Sequence, residues 1–254
     1  MRKTVVVTGG GSGIGRAICR ELASLDWRVI VTDIRPDAAE ETRELLQGDE
    51  HEAHGLDVTD IETANALATL VSSRWGIEGW VNNAGVSRMR RFTEISEAEY
   101  DTTLAINLKG VFVCGQAAAR AMIAQGRGGK IVNTASMAGK QGGVPFLADY
   151  VASKFGVIGL TQAMAFELAQ HSITVNSVCP GFVATPMQDR ELAWESELKG
   201  STVEAVRDSW VADTPLGRLQ QPEDVANVVG FLLGDKSDFL TGESISANGG
   251  AYMD

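Results

Sequence analysis

Short apolar runs alternate with stretches of helical periodicity from one end of the chain to the other. Seven runs predict strands, at residues 4–8, 28–33, 53–58, 79–83, 130–135, 174–179 and 244–247. Most are nearly continuous in Val, Ile and other apolar residues. That is the pattern of strands covered on both faces in a parallel sheet, where no side points to water. Between them, Ile14, Ile18, Leu22 and Leu25 recur at the spacing of one helix face. Ser96 and Glu99 have the spacing of a capping box ahead of a long helix that ends near Gln125. Residues 149–170 and 222–233 predict two further helices, the latter opening on Pro222, where a missing N–H costs nothing. Strands joined by helical crossovers predict an α/β, doubly wound parallel sheet with helices on both faces and with ligands at the carboxyl ends of the strands. One polar, helix-prone stretch with two tryptophans, residues 185–214, interrupts the alternation and reads as a lid or small helical excursion.

A length of 254 residues suits one such domain spanning residues 1–254. The net charge of −11 disfavours nucleic acid and anionic membranes as partners. No apolar run reaches spanning length. The first predicted strand runs directly into a glycine loop, which leaves no room for a signal peptide, and a reducing cytoplasm is the expected compartment. Cys19, Cys114 and Cys179 lack zinc spacing, and Cys19 and Cys114 read as buried thiols in helices. His51 and His54 lie in a polar stretch without further ligands and read as a solvated loop, so no metal is expected.

The candidate chemistry sits at the ends of the predicted strands. Thr8-Gly9-Gly10-Gly11-Ser12-Gly13-Ile14-Gly15 joins the first strand to the first helix. Its glycines permit a tight turn and close approach of backbone to a phosphate, and the helix N-terminus adds free N–H groups. Gly9, Gly13 and Gly15 are separated by three residues and one, unlike the G-x-G-x-x-G spacing, so the loop alone is a weak signal. Asp33 closes the second strand, where a carboxylate accepts both ribose hydroxyls of an adenosine and repels a 2′-phosphate. That favours NAD over NADP, as does the uncharged Ser12; Arg35 either blurs the choice or is a solvated arginine. Asp57-Val58 ends the third strand, where a carboxylate can meet the adenine amino group. Asn82-Asn83-Ala84-Gly85 ends the fourth with residues small enough for cofactor to approach the backbone. Tyr150 and Lys154 are four apart, on one helix face. A free phenol titrates near ~10, too high for an efficient base at neutral pH, and an adjacent ammonium favours its anion. Together with the loop, the pair points to a nicotinamide-dependent enzyme that interconverts an alcohol and a carbonyl.

These motifs, with Asn107, Ser136, Pro180-Gly181, Pro215-Leu216-Gly217-Arg218 and Asn248-Gly249-Gly250, occur in the order found in the short-chain dehydrogenase/reductase family, which the chain resembles over essentially its whole length. The resemblance implies a Rossmann-like domain with a seven-stranded parallel sheet, commonly assembled as a homotetramer. It implies that Tyr150 is the general acid/base, that Lys154 depresses its pKa and holds the nicotinamide ribose, and that Ser136 donates to the substrate oxygen. It also implies that Asn107 shapes a water path and that Pro180, Gly181, Val183 and Thr185 hold the nicotinamide carboxamide. Ser136 and Tyr150 are fourteen apart, one more than the family's usual spacing, and either the loop with Gly142, Gly143 and Pro145 absorbs the extra residue or the serine is misassigned. Gln220 stands where a glycine is common.

Substrate choice should depend on residues 86–91, 139–149 and 187–210. Arg88, Arg90 and Arg91 either steer an anionic substrate or form a solvated or subunit-contacting surface. Trp194 and Trp210 either line an apolar pocket or pack the excursion's helices. A small secondary alcohol, sugar, polyol or hydroxy acid is compatible. The alternatives are a nucleotide-binding regulator without turnover and a lyase or epimerase that uses hydride transfer internally.

Overall fold

The computed structural model describes residues 2–253. Strands β1 (Thr4–Val7), β2 (Arg28–Asp33), β3 (Glu52–Gly55), β4 (Gly79–Asn82), β5 (Gly129–Thr134), β6 (Ile173–Pro180) and β7 (Ser244–Ala247) form one sheet in the order β3-β2-β1-β4-β5-β6-β7. Every pair is parallel. Helices α1 (Gly13–Ser24), α2 (Pro36–Glu44) and α3 (Ile61–Arg74) serve the first half of the sheet. The second half carries α4 (Glu97–Leu104), α5 (Gly110–Gln125), α6 (Ala148–Leu168), α7 (Pro186–Lys199), α8 (Val203–Ala212) and α9 (Pro222–Leu233).

Two apolar layers sandwich the sheet, and β1 shows how its alternation supplies both. Val5 and Val7 pack in the layer that includes Ile18 and Leu22 of α1 and Val229 of α9. Val6 points the other way, into the layer with Leu67 of α3 and Val113 of α5. All three are fully buried, which accounts for the uninterrupted Val-Val-Val run. A chain of buried polar groups crosses the second half. The Trp80 indole N–H donates to Asn82 Oδ1, Asn82 Nδ2 to Asn133 Oδ1, and Asn133 Nδ2 to Thr161 Oγ1, each at 2.9 Å. Each group finds a partner, so β4, β5 and α6 are tied together without an orphaned donor.

Several expectations need correction. The third strand ends at Gly55, and Leu56-Asp57-Val58 forms the loop beyond it, where Thr59 donates its N–H and hydroxyl to Asp57 Oδ1 at 2.9 and 2.8 Å. His51 is not solvated. It is buried, its Nδ1 accepts the Val29 N–H at 3.1 Å, and its Nε2 lies 2.8 Å from the Gln47 carbonyl oxygen. The long helix from Ser96 is two helices joined by a π-helical turn at Ala105–Lys109. Its capping box is present: Ser96 Oγ accepts from the Glu99 N–H, and the Ser96 N–H donates to Glu99 Oε2 at 3.1 Å. The 185–214 excursion is helical, as α7 and α8, and Trp210 is buried there, stacked on Phe182 with ring centres 4.9 Å apart. Cys19, Cys114 and Cys179 are all buried. No helix among the described residues is long and apolar enough to cross a membrane, and no group of metal-ligating side chains occurs among them.

Candidate active site

The chain reverses its direction of travel across the sheet between β1 and β4, and a cavity of about 580 Å³ opens at the carboxyl ends of these strands. That is where an open parallel sheet leaves a crevice. The cavity runs from Asp33, Ile34 and Arg35 at the end of β2 to Ser136, Tyr150 and Glu191 on the other side of the switch.

The glycine loop forms one wall. Gly9 has a φ of +63°, and a Cβ there would stand 2.8 Å from the Ala84 Cα. At Gly15 a Cβ would lie 2.0 Å from the Gly9 carbonyl oxygen, so no side chain fits. The loop is held to the end of β4 by Thr8, whose Oγ1 accepts the Asn83 and Ala84 N–H groups at 3.0 and 3.1 Å. Asn83 Nδ2 in turn donates to the Thr8 and Gly9 carbonyls at 3.1 and 3.2 Å. Ser12 precedes α1 without capping it through its side chain, and both Ser12 and the first turn of the helix face the cavity. The result is a backbone cradle with unsatisfied N–H groups at a helix start, suited to a pyrophosphate. Asp33 is oriented by two backbone donors: Oδ2 accepts from Gly11 and Oδ1 from Arg35, both at 3.0 Å. Asp57, Val58 and Gly85 complete the same wall. These residues fit a dinucleotide.

Across the cavity, the start of α6 presents Tyr150 and, one turn later, Lys154. Lys154 is buried, and its Nζ donates to the Thr134 carbonyl oxygen at 2.8 Å. Ser136 begins the turn after β5, and its Oγ accepts the Ala138 N–H at 3.1 Å. A hydrogen bond links the Ser136 hydroxyl to Tyr150, so fourteen residues bring the two together after all. The loop between them absorbs the added residue, with Phe146 in the left-handed region at φ 65°.

The electrostatics depart from the expectation that Lys154 makes the phenol acidic. Protein packed around Tyr150 raises its pKa above the ordinary value, the Glu191 carboxylate raises it further, and the Ser136 hydrogen bond opposes both. The same burial brings the Lys154 ammonium down to about 8. Desolvation disfavours either charged form when it is formed alone.

Among the predicted site residues only Asn107 does not line the cavity. It lies buried in the π-helical turn, where its Oδ1 accepts the Val86 N–H and its Nδ2 donates to the Val86 carbonyl, both at 2.8 Å. Nδ2 also lies 3.2 Å from Ser153 Oγ, whose hydroxyl donates to the Tyr150 carbonyl at 2.7 Å. Pro180, Gly181, Val183 and Thr185 border the cavity as expected. Sequence reasoning missed Thr102, Ala105 and Ile106, which also line it and whose shared helical face was the available signal. It did not single out Gln188 and Glu191. Arg88 and Arg90 both pair with Glu99. Among the described residues they do not line the cavity.

A family model described as short chain dehydrogenase matches residues 3–196. The (3R)-3-hydroxyacyl-CoA dehydrogenase of Rattus norvegicus is 40% identical over 98% of this chain and 95% of its own length. Among solved structures, sorbitol-6-phosphate 2-dehydrogenase from Erwinia amylovora superimposes with a TM-score of 0.93 at 33% identity, over 99% of this chain and all of the other. Actinorhodin polyketide ketoreductase, solved with NADPH, superimposes with a TM-score of 0.91 at 36% identity, over 98% of this chain and 97% of the other.

Proposed function

Because the chain belongs to the short-chain dehydrogenase family, we propose that it interconverts a secondary alcohol and the corresponding ketone with a nicotinamide dinucleotide, NAD in preference to NADP. The observation that carries this is the convergence of Ser136, Tyr150 and Lys154 on the cavity that the glycine loop and Asp33 also line. The comparison proteins are named for a hydroxyacyl-CoA, a polyketide and a sorbitol phosphate, and a hydroxyl or keto carbon is common to these names.

When bound, the nicotinamide accepts or supplies the hydride. In the oxidative direction Tyr150 takes the proton from the substrate hydroxyl as the carbon gives up its hydrogen with the electron pair; in reduction it returns that proton. Ser136 donates a hydrogen bond to the same oxygen and stabilises the charge that develops there. Lys154, as an ammonium, favours the phenolate and holds the ribose. Burial sets the Tyr150 phenol against this role, so its anion depends on positive charge gathered beside it. Asn107 acts through geometry, fixing Val86 and the carbonyl side of Tyr150 by way of Ser153.

Gly9, Ser12, Gly13, Ile14 and Gly15 cradle the pyrophosphate, and Asp33 takes the adenosine ribose hydroxyls. Asp57, Val58, Asn83, Ala84 and Gly85 border the adenine and the neighbouring ribose. Pro180, Gly181, Val183 and Thr185 hold the carboxamide. The polyketide ketoreductase was solved with NADPH, so the reading that this chain prefers NAD rests on Asp33. Residues 1–254 act as one domain, with 185–214 as a lid over the substrate, in a homo-oligomer, commonly a tetramer in this family. A panel of alcohols and ketones, run with NAD and NADP in parallel and followed by reduced-cofactor absorbance, tests the proposal; no turnover of any member would overturn it.

A further inference from the structure

The start of α7 carries two cavity-lining acceptors that the proposed chemistry does not use. Thr185 caps this helix, its Oγ1 accepting the Gln188 N–H at 3.3 Å, and Pro186 opens its first turn. Gln188 and Glu191 are therefore three apart on a regular helix and share a face, and both line the cavity. Gln188 is more than nine-tenths buried, and its Oε1 has no hydrogen-bond partner in the protein. An amide oxygen buried in that way carries a penalty of ~1–3 kcal/mol until a donor reaches it. Glu191 is anchored differently. Its Oε1 is hydrogen-bonded to Ser87 Oγ, which arrives from the loop after β4. Glu191 and Tyr150 line the same cavity, and the Glu191 charge acts on the phenol.

We propose that Gln188 and Glu191 read hydrogen-bond donors on the substrate, so that the preferred substrate is a neutral polyol or hydroxyketone with a hydroxyl beside the reacting carbon. This rests on the dehydrogenase reading above and names its substrate class. A hydroxyl suits the pair better than an ammonium. Burial, followed by the nearby Glu195, raises the Glu191 pKa, while the Ser87 hydrogen bond and Arg190 oppose the rise. A hydroxyl can donate to the carboxylate and accept from the carboxylic acid, so it is matched in both states. An unsubstituted alcohol leaves Gln188 Oε1 unpaired, and a site built for a hydroxyl rejects the analogue without one strongly.

The test compares matched pairs in the direction each allows: cyclohexanol against 1,2-cyclohexanediol, oxidised with NAD, and 2-butanone against acetoin, reduced at the ketone with NADH, with 3-hydroxybutyrate and NAD as the anionic arm. The wild type should favour the member with the extra hydroxyl by at least about tenfold in kcat/KM. Gln188→Leu and Glu191→Gln should each lower that ratio by about tenfold, mainly through KM. A ratio near one in the wild type, a ratio unmoved by both substitutions, or a preference for hydroxybutyrate would overturn the inference while leaving the dehydrogenase reading intact. If no compound turns over, calorimetric binding of the diol and the mono-alcohol to the NAD-loaded protein decides it. Diol binding at least about tenfold tighter, and lost in Gln188→Leu, supports the acceptor pair; equal binding overturns it.

Discussion

Lys154 Nζ stands 5.5 Å from the centre of the Tyr150 ring. In the proposed mechanism the ammonium favours the phenolate, while burial acts against the charged form of both partners. Replacing Lys154 by Met should therefore raise the pH at which alcohol oxidation reaches half its maximum, because the charge that favours the phenolate is gone. The kcat at neutral pH should fall by roughly 10²- to 10⁴-fold. A pH–rate profile of the two proteins checks this; an unshifted profile would show that the lysine acts only by holding cofactor.

Tyr150→Phe removes the proton donor while leaving the ring packing in place. Turnover should fall by at least about 10²-fold, and the dissociation constant for NAD, measured by fluorescence or calorimetry, should change by less than about threefold. Turnover close to wild type with binding intact would refute the assignment of Tyr150.

Asp33 accepts two backbone N–H groups, so its carboxylate is held rather than free to swing. The wild type should use NAD with a kcat/KM at least about tenfold above that for NADP, equivalent to ~1.4 kcal/mol. Asp33→Asn should erase most of that preference by removing the charge that repels a 2′-phosphate. Parallel assays with the two dinucleotides give the ratio; a wild type that prefers NADP would transfer the decision to Arg35, which also lines this end of the cavity.

Burial lowers the His51 pKa below its ordinary value, and the ring accepts a backbone N–H that only a neutral Nδ1 can receive. The unfolded chain then binds the proton more readily than the folded one. The resulting stability is fully present above the unfolded pKa of ~6.5 and drains away as pH falls towards the lower folded value. Thermal unfolding should show a decline from pH 7 to pH 5.5, and His51→Asn, which keeps an acceptor but cannot titrate, should show a shallower one. Parallel slopes would remove His51 from the account of acid sensitivity.

At Gly15 a methyl group would meet the Gly9 carbonyl oxygen at 2.0 Å. Gly15→Ala should destabilise the protein by about 2 kcal/mol, lowering Tm by roughly 4–8 °C, and should weaken dinucleotide binding. Unchanged melting by differential scanning calorimetry would mean that the loop relaxes in a way its hydrogen bonds to Asn83 do not suggest.

Sheet, crossovers and cofactor wall were legible because their signals are local. The Val-Val-Val run of β1 and the glycines beside it demand buried strand and close-packed turn whatever surrounds them. Where a side chain's fate depends on distant partners, the sequence was mute or misleading. His51 lies in a polar stretch, yet it is buried through Val29 on the neighbouring strand. The break between α4 and α5 is a π-helical turn inside a pattern that remains helical throughout, so periodicity could not reveal it. Spacing alone could not bring Ser136 and Tyr150 together, because their meeting depends on the course of the loop between them, and the structure joins them by a hydrogen bond. Gln188 and Glu191 look like ordinary polar residues of a surface helix until α7 is laid over the cavity.

The central position of β1 has a consequence for how the polypeptide comes off the ribosome. Val5 is paired on one side with Val29, which follows soon after, and on the other with Gly79, which emerges only after α2, β3 and α3 have been made. Until then one whole edge of the most apolar strand stays without its hydrogen-bonding neighbour. Such long-range parallel pairing is slow to form, so until residue 79 appears that edge of the nascent chain is open to aggregation.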